Sequence, residues 1–314
     1  MTEPNLAEAP LSEAPELSVL IVNFNAGRLL ADCVAAVLQT TIRLQVLIGD
    51  NGSSDDSLAL VRARVGSDPR VTTIEHGANL GFAAGHNRLL ERATAPYLLF
   101  LNPDCMVNTS TLRPMLSLME SMPDAGMAGC IIRNPDGSEQ VASRRAIPDP
   151  WIGLVRVLGL HRLWPRLAEN RRLDLTGSPL PERPVPVDAI SGSLMLVRRA
   201  ALDQVGPLDE GYFLHCEDLD WFVRFRRAGW RIYLVPSADA IHYKGACSVA
   251  RPLRVEWHKH RGMSRFFLKL QRQDYSRPFA LLVLIGIWGR FAAVAFAIAL
   301  RQVRARLRLT GFSR

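Results

Sequence analysis

The sequence lacks the cysteine patterns of a disulfide framework or a zinc site. Its 314 residues contain five cysteines, which are scattered, odd in number and without a Cys-x-x-Cys pair: Cys33, Cys105, Cys130, Cys216 and Cys247. An odd, scattered set argues against a stapled extracellular domain and favours a reducing compartment.

The N-terminus lacks the features of a signal peptide. Residues 1–16 are acidic and rich in proline, with neither a basic start nor an apolar run. Such a composition predicts a disordered leader.

The glycine loops that usually hold nucleotides are also missing. The turn after the first apolar run is Asn23-Phe24-Asn25-Ala26-Gly27, Gly81-Phe82-Ala83-Ala84-Gly85 has the wrong glycine spacing, and there is no Gly-Lys-Ser/Thr loop. This argues against a dinucleotide fold and a P-loop enzyme. A nucleotide would instead be held by carboxylates and a metal ion.

What the chain does have is apolar strands alternating with helical segments. Predicted strands cover 17–23, 45–50, 71–75 and 97–101, and helices fill the intervals. A late strand is predicted over 231–236, and the stretch 144–187 shows no regular pattern. This spacing predicts an α/β fold with a doubly wound, mostly parallel sheet. The run Tyr97–Leu101 is apolar throughout, as expected of a strand buried on both faces.

The charge is strongly basic. A net charge of +8 and a pI near 9.7 indicate an anionic partner. Nucleic acid, anionic lipid and a phosphorylated substrate all fit, and charge alone does not choose between them.

Two of the predicted strands end on a carboxylate. Asp50 follows the second strand, and Asn102-Pro103-Asp104 follows the fourth. Ligands of open α/β sheets bind at the carboxyl ends of strands, and hard divalent cations there share oxygen ligands with phosphates. The alternative is a plain turn, since all three residues of Asn102-Pro103-Asp104 favour turns.

Four motifs together resemble glycosyltransferase family 2, in particular its bacterial rhamnosyltransferase branch. The resemblance extends over roughly residues 17–270. The motifs are Val19-Leu20-Ile21-Val22-Asn23-Phe24-Asn25, Asp50-Asn51-Gly52-Ser53-Ser54-Asp55, Asn79-Leu80-Gly81-Phe82-Ala83-Ala84-Gly85-His86-Asn87 and Asn102-Pro103-Asp104. The resemblance implies a GT-A-like fold and transfer of a sugar from a nucleotide diphosphate.

The resemblance also implies a donor site. Asn23 and Asp50 would lie near the base and ribose, and Asn79 and Asn87 beside the diphosphate and sugar. Asn102 and Asp104 would form the family's Asp-x-Asp motif, with its first carboxylate replaced by an amide. Asp188 would lie near the sugar or the acceptor. The metal, Mg²⁺ or Mn²⁺, would be bound by Asp104 and His242.

A second acidic cluster, Glu217-Asp218-Leu219-Asp220, opens a predicted helix that runs to Ala228. Acidic residues are favoured in a first helical turn, which accounts for one or two of them. The cluster resembles the family's Glu-Asp-x-Asp motif, which implies that Asp218 is the general base, with Glu217 beside it in the catalytic set.

The carboxyl-terminal segment is basic and apolar. Residues 254–273 predict an amphipathic basic helix, and 279–300 are apolar apart from Arg290. A spanning helix, a helix pair lying in the membrane interface and a buried core helix all fit a run of roughly 20 apolar residues. We favour the interfacial pair, because arginines flank the run on both sides.

Together these features predict a leader (1–16), a catalytic domain (17–250, nucleotide half 17–104 and acceptor half 105–250) and a membrane-associating tail (251–314). The resemblance implies dTDP-L-rhamnose as donor and a polyprenyl-diphosphate-linked sugar as acceptor, at the cytoplasmic face of an anionic membrane. No nucleic acid partner is expected, and a homo-oligomer is left open. The alternatives are a UDP-hexose or UDP-N-acetylhexosamine donor, and a basic nucleic-acid-binding or NAD-binding protein.

Overall fold

The computed structural model describes residues 14–157, 176–245 and 252–311, without the side chains of 154–157 and 303–311. The predicted leader therefore lies almost wholly outside the described residues. The strands in these ranges are β1 (Leu17–Asn23), β2 (Leu44–Asp50), β3 (Val71–Glu75), β4 (Tyr97–Leu101), β5 (Cys105–Val107), β6 (Ala125–Arg133), β7 (Val185–Pro186), β8 (Leu194–Arg198) and β9 (Arg231–His242).

The helices cover both faces of the sheet and form the carboxyl-terminal unit. They are α1 (Arg28–Leu38), α2 (Ser57–Val65), α3 (Gly81–Leu90), α4 (Leu112–Ser121), α5 (Pro150–Val157), α6 (Arg199–Val205), α7 (Glu217–Arg227), α8 (Pro252–Phe266) and α9 (Arg277–Gly311). A π-helical turn, Phe267–Gln271, and a 3₁₀ turn, Arg272–Asp274, join α8 to α9.

The described strands form one sheet in the order β3-β2-β1-β4-β8-β6-β9-β5, with β7 paired to β9. The strands β1 to β4, β6 and β9 run in one direction, and β5, β7 and β8 run against them. The prediction of an α/β fold with a mostly parallel sheet is thus confirmed. The reversed strand β8 begins beside the end of β4, where Leu101 pairs with Leu194.

Strand β4 is the centre of the core. Leu99 and Leu101 pack into the apolar layer on one face, and Leu98 and Phe100 into the layer on the other. Phe100 meets Trp221 of α7 edge to face, with ring centroids 4.8 Å apart. Because side chains alternate across a strand, burial on both faces requires the continuous apolar run seen here.

Strand β9 is longer than the sequence suggested. Pro236 would end a regular strand because it has no N–H to donate. In the structure the register shifts at this point, so that Cys130 pairs with Val235 and Ile131 with Asp239. The irregularity takes up the proline, and β9 continues to His242 at the same edge of the sheet as Asp104.

The stretch 144–187, in which no regular pattern was evident, contains α5. Asp149 Oδ1 accepts from the backbone N–H groups of Trp151 and Ile152, and Pro150 occupies the first helical position. This combination is a normal start for a helix. The remainder of the stretch, 158–175, lies outside the described residues.

The carboxyl-terminal helices are tied to the catalytic domain by charge. Lys269 Nζ lies 2.6 Å from Asp209 Oδ2 and 2.7 Å from Oδ2 of the fully buried Asp220. Arg265 also pairs with Asp209, at 2.9 Å. If one partner of such a pair were removed, the buried charge of the other would be left without compensation. These contacts therefore hold α8 and the π-helical turn after it against α7 and the loop before it. The domain boundary at 250 falls within 246–251, outside the described residues.

Candidate active site

The first part of the site is a carboxylate at the end of β2. Asp50 is 5% exposed, its Oδ1 accepts from Asn23 Nδ2 at 2.8 Å, and its Oδ2 accepts from the backbone N–H groups of Gly52 and Ser53 at 3.1 and 2.9 Å. Asn23 is fully buried and also donates to Ser53 Oγ. These bonds hold together the loops that follow β1 and β2.

Asn79 and Asn87 support the loops around this edge of the sheet. Asn79 Oδ1 accepts from Gly81 N at 3.0 Å, where the chain enters α3. The Asn87 amide donates to Leu208 O and Glu210 Oε1, both at 2.9 Å, and accepts from Leu208 N at 3.2 Å. The structure therefore gives Asn87 a role in holding the chain before α7, and its contact with a sugar nucleotide stays a prediction.

The second part of the site is a pair formed by Asp104 and His242. Asp104 Oδ1 and His242 Nε2 are 3.1 Å apart, and both residues are less than a tenth exposed. The pair forms because β5 runs against the end of β9 and sets Cys105 opposite His242. Two residues separated by 138 positions in the sequence are thus brought together by strand pairing.

Gln140 determines which nitrogen of His242 carries hydrogen. The Gln140 amide donates from Nε2 to Asn134 Oδ1 and to the backbone O of His242, so its Oε1 must face His242 Nδ1, 2.8 Å away. Nδ1 is therefore the donor, and in the neutral ring the lone pair of Nε2 points towards Asp104. Sequence reasoning missed Gln140, since a lone glutamine outside any periodic pattern carries no signal.

This arrangement fits a divalent cation. Two ligands about 2.1 Å from a metal and at right angles to each other are roughly 3 Å apart, the separation seen between Nε2 and Oδ1. Within the described residues no group of three His, Cys, Asp or Glu side chains is placed to hold a metal, so a cation here would need oxygens from elsewhere, such as a diphosphate.

Asn102 completes the surroundings of the pair. Its Nδ2 lies 3.5 Å from His242 Nε2. A half-turn of the amide would present its oxygen instead, which is a suitable ligand for a hard cation.

The third part of the site is the first turn of α7. Asp218 Oδ1 accepts from Leu219 N at 2.8 Å, and Oδ2 forms an ion pair with Arg145 Nη2. The turn before the helix is strained, because His215 and Cys216 have φ values of 69° and 70°. Side chains with a Cβ adopt this conformation only where the surroundings enforce it, and such strain is common at functional sites.

Glu217 differs from its neighbour in protonation. Burial raises its pKa to about 8, and the charge of Asp218 adds to the effect. Its Oε2 has no hydrogen-bond partner among the described residues. Glu217 therefore carries a proton at neutral pH, and the role of proton acceptor falls to Asp218.

Asp220 and Asp188 have ionic partners. Asp220 lies between Arg224 Nε and Lys269 Nζ, each 2.7 Å from one of its oxygens. Asp188 pairs with Arg226 at 2.9 Å, half exposed, and lines a cavity of about 510 Å³ that Arg145 also lines. A role for Asp188 near the sugar or acceptor stays a prediction.

The segment Ser191–Ser193 brings the parts together. Ser193 O accepts from Asn102 N at 2.9 Å, and a Cβ placed on Gly192 would lie 2.7 Å from Asp218 Oδ2. Asn102, which lies beside the Asp104–His242 pair, and Asp218 are therefore both next to the segment Ser191–Ser193, and a shared substrate site for Asp104 and Asp218 stays a prediction. The roles of these residues remain predictions.

Comparison with known proteins places this geometry in context. Residues 18–206 match the sequence model of the family described as "Glycosyl transferase family 2". The chain is 34% identical, over 92% of its length and 96% of the relative's, to the N-acetylglucosaminyl-diphospho-decaprenol L-rhamnosyltransferase of Mycobacterium tuberculosis. It is 31% identical, over 47% of its length and 52% of the relative's, to the rhamnosyltransferase WbbL of Escherichia coli.

A solved structure shares the fold. It is a mannosyltransferase of Pyrobaculum calidifontis in complex with GDP-mannose and Mn²⁺, with a TM-score of 0.57, 17% identity, and coverage of 98% of this chain and 84% of the other. At this identity the likeness concerns the fold alone, and it confirms the expected GT-A-like architecture.

The protonation of Glu217 gives a prediction about stability. A carboxyl group whose pKa is raised from 4.5 to about 8 is neutral in the folded protein while it is ionised in the unfolded chain, so its contribution to stability falls as pH rises between those values. We expect Glu217→Gln to be more stable than wild type at pH 7.5, by on the order of a few kcal/mol at about 1.4 kcal/mol per pKa unit, and the gain to shrink towards pH 5.

Urea unfolding followed by circular dichroism at the two pH values measures this difference. Glu120→Gln, on the exposed face of α4, is the control and should show no such trend. A Glu217→Gln variant whose stability relative to wild type is the same at both pH values would contradict the assignment.

Proposed function

Because the chain belongs to glycosyl transferase family 2, we propose that it is an inverting rhamnosyltransferase that uses dTDP-L-rhamnose and a polyprenyl-diphosphate-linked sugar such as N-acetylglucosamine, in cell-wall or surface polysaccharide assembly. The substrates are taken from the M. tuberculosis relative, with which the chain is similar along almost its whole length. The observation that supports the proposal is that the segment Ser191–Ser193 contacts both Asn102, beside the Asp104–His242 pair, and Asp218.

In the proposed reaction an acceptor hydroxyl attacks the anomeric carbon of the donor from the face opposite the diphosphate. The bond between that carbon and the diphosphate oxygen breaks, and its electron pair leaves with the nucleotide. The hydroxyl proton passes to Asp218, the carboxylate at the start of α7. Its position in the first turn of α7 fixes the direction of Asp218.

The residues that would hold a divalent cation, Mg²⁺ or Mn²⁺, are Asp104 and His242, with Asn102 beside them. When bound, the cation neutralises charge on the departing diphosphate. Gln140 keeps the Nε2 lone pair of His242 directed at this position. Mutation of an orienting partner of this kind commonly lowers metal affinity about tenfold or more.

The protein side of the donor site is formed by Asp50 and the loops that Asn23 and Asn79 support. Asp50 Oδ2 accepts two backbone N–H groups and Oδ1 accepts one side-chain N–H, so Oδ1 retains a lone pair for a donor on the base or ribose. A UDP-hexose or UDP-N-acetylhexosamine remains the alternative donor. The second alternative, a basic nucleic-acid-binding or NAD-binding protein, is set aside because family membership accounts for the sequence motifs.

The apolar tail supports a location at the cytoplasmic face of the membrane. Residues Arg277–Gln302 of α9 are long enough to cross a bilayer, and they contain an 18-residue window with a mean hydropathy of 2.2, of which little is buried within the described part of the protein. Trp151 and Trp257, both about half exposed, contact Phe279 and Trp288 of this helix. Amphipathic aromatic rings suit a membrane interface. We retain the interfacial helix pair, formed by α8 and α9.

A panel of sugar nucleotides tests the proposed reaction. Purified full-length protein should transfer sugar to a polyprenyl-diphosphate N-acetylglucosamine from dTDP-L-rhamnose, and much less from UDP-glucose or UDP-N-acetylglucosamine, as followed by chromatography of the lipid product. Asp218→Asn should lower transfer by at least a factor of a hundred, since general bases contribute about 10²–10⁴-fold, while donor affinity stays nearly unchanged.

Transfer from a UDP-sugar in preference to dTDP-L-rhamnose would replace the donor and keep the reaction. Near-normal turnover by Asp218→Asn would exclude Asp218 as the base.

Removal of the metal ligand has a different expected effect. Asp104→Ala should weaken donor binding measured by titration calorimetry in the presence of Mn²⁺, at least tenfold, because one of two protein ligands is lost. A chelator should bring wild-type protein to the same weak affinity and leave Asp104→Ala nearly unchanged. Glu120→Ala, on the exposed face of α4, is the control. Donor binding and turnover that survive chelation would overturn the metal assignment.

Flotation with lipid vesicles tests the location. Full-length protein should float with vesicles that contain phosphatidylglycerol, and less with pure phosphatidylcholine, because arginines flank the apolar run. Leu281→Asp with Ile285→Asp should reduce flotation, since these side chains are about 60% exposed on α9. Leu180→Asp, also exposed but outside the tail, should not. Wild-type protein that remains unbound to both vesicles would refute membrane association.

A further inference from the structure

The proposed base is covered by an arginine. Arg145 Nη2 contacts Asp218 Oδ2, and the two side chains are 24% and 11% exposed. The other oxygen of Asp218 accepts from Leu219 N. A carboxylate oxygen that faces a guanidinium is a poorer proton acceptor, so the acceptor hydroxyl cannot approach Oδ2 freely while Arg145 is in this position.

The backbone that carries Arg145 is fixed. Ser143 is buried and its Oγ accepts from Ile132 N at 2.8 Å, and Arg144, 5% exposed, pairs with Glu139 at 2.7 Å. Arg145 itself bridges to Ala189. Movement of Arg145 is therefore confined to its side chain.

The side chain of Arg145 does not use all of its hydrogen-bond donors on Asp218. Its Nε is buried and has no hydrogen-bond partner among the described residues. The side chain borders the cavity of about 510 Å³, which is also lined by Arg226, Arg231 and Asp188, the partner of Arg226. A guanidinium whose Nε lacks a partner, beside a cavity with two further arginines, suits an anion that can take two parallel hydrogen bonds, such as a phosphate.

The proposed acceptor carries such an anion at the required place. Its diphosphate is attached to the same sugar ring that bears the attacking hydroxyl. A positively charged side chain that pairs with the acceptor's diphosphate must therefore lie within about one sugar ring of the proposed base. Arg145 lies at such a distance, because it contacts Asp218.

We infer that Arg145 is a positioning residue that covers Asp218 in the acceptor-free protein and transfers to the acceptor's diphosphate, so that the base is exposed only when acceptor is bound. This inference rests on the proposed function. It gives the chain a way to select diphosphate-linked acceptors and to avoid deprotonating water, which would hydrolyse the donor. No atom changes its covalent partner in this step.

The experiment compares two acceptors, a polyprenyl-diphosphate N-acetylglucosamine and an uncharged alkyl glycoside of the same sugar, together with donor hydrolysis in the absence of acceptor. Arg145→Ala in the full-length protein should reduce the preference for the diphosphate acceptor, measured as the ratio of kcat/KM values, at least tenfold, mainly through KM. It should also raise donor hydrolysis several-fold. Arg145→Lys, which keeps the charge and loses the fork, should restore part of the preference.

Arg70→Ala is the control, because Arg70 forms a similar Arg–Asp pair with Asp68 before β3, at the opposite edge of the sheet. Its acceptor preference should equal that of wild type. Thermal melting followed by circular dichroism shows whether each variant is folded. If Arg145→Ala does not fold, the comparison of Arg145→Lys with wild type tests the inference.

The outcomes separate the two proposals. If wild-type protein prefers the diphosphate acceptor and both Arg145 variants show the same preference and the same hydrolysis rate, the inference alone is overturned. Equal losses of kcat on both acceptors would show a structural role and also overturn it. Wild-type protein that transfers sugar to neither acceptor overturns the proposed function and the inference together.

Discussion

The close approach of Gly192 to Asp218 determines the geometry of the site. A Cβ at this position would lie 2.7 Å from Asp218 Oδ2, and that oxygen is held on its other side by Arg145. The next residue, Ser193, accepts a hydrogen bond from the backbone of Asn102. One short piece of backbone therefore lies between Asp218, the proposed base, and Asn102, which is next to the proposed metal ligands. It can do so because β8 runs against β4 and begins where β4 ends.

The same turn that presents Asp218 also meets the carboxyl-terminal helices. A Cβ on Gly262 of α8 would lie 2.7 Å from the backbone oxygen of His215, in the strained pair of residues before α7. A left-handed conformation costs about 1–2 kcal/mol at a residue with a Cβ, so close packing must compensate for it. Helix α8, which precedes the apolar run, therefore helps to hold the turn that presents Asp218, the proposed base. A separate membrane anchor joined by a flexible linker would not have this contact.

Much of this arrangement could be predicted from sequence, for identifiable reasons. Strand β4 is recognisable because a strand buried on both faces must be apolar throughout, and Asp104 because it directly follows that strand. Arg145 and Gln140 could not be found, because they lie between β6 and α5 in a stretch without periodicity, and their contacts with Asp218 and His242 join positions more than 70 apart. The full length of β9 was missed because a local proline signal was overridden by an irregular register. Local patterns predict elements, and they do not predict which strands become neighbours.

The fold also resolves an electrostatic difficulty that the sequence raises. Glu217, Asp218 and Asp220 would place three negative charges where the proposed anionic donor and the proposed anionic acceptor would approach. Burial holds the pKa of Glu217 near 8, so that carboxyl is neutral, and Arg224 and Lys269 balance Asp220. The first turn of α7 therefore presents one carboxylate, which Arg145 pairs. Since Coulomb repulsion in a partly buried site is far stronger than in water, this neutralisation is a condition for phosphate groups to approach a base at all.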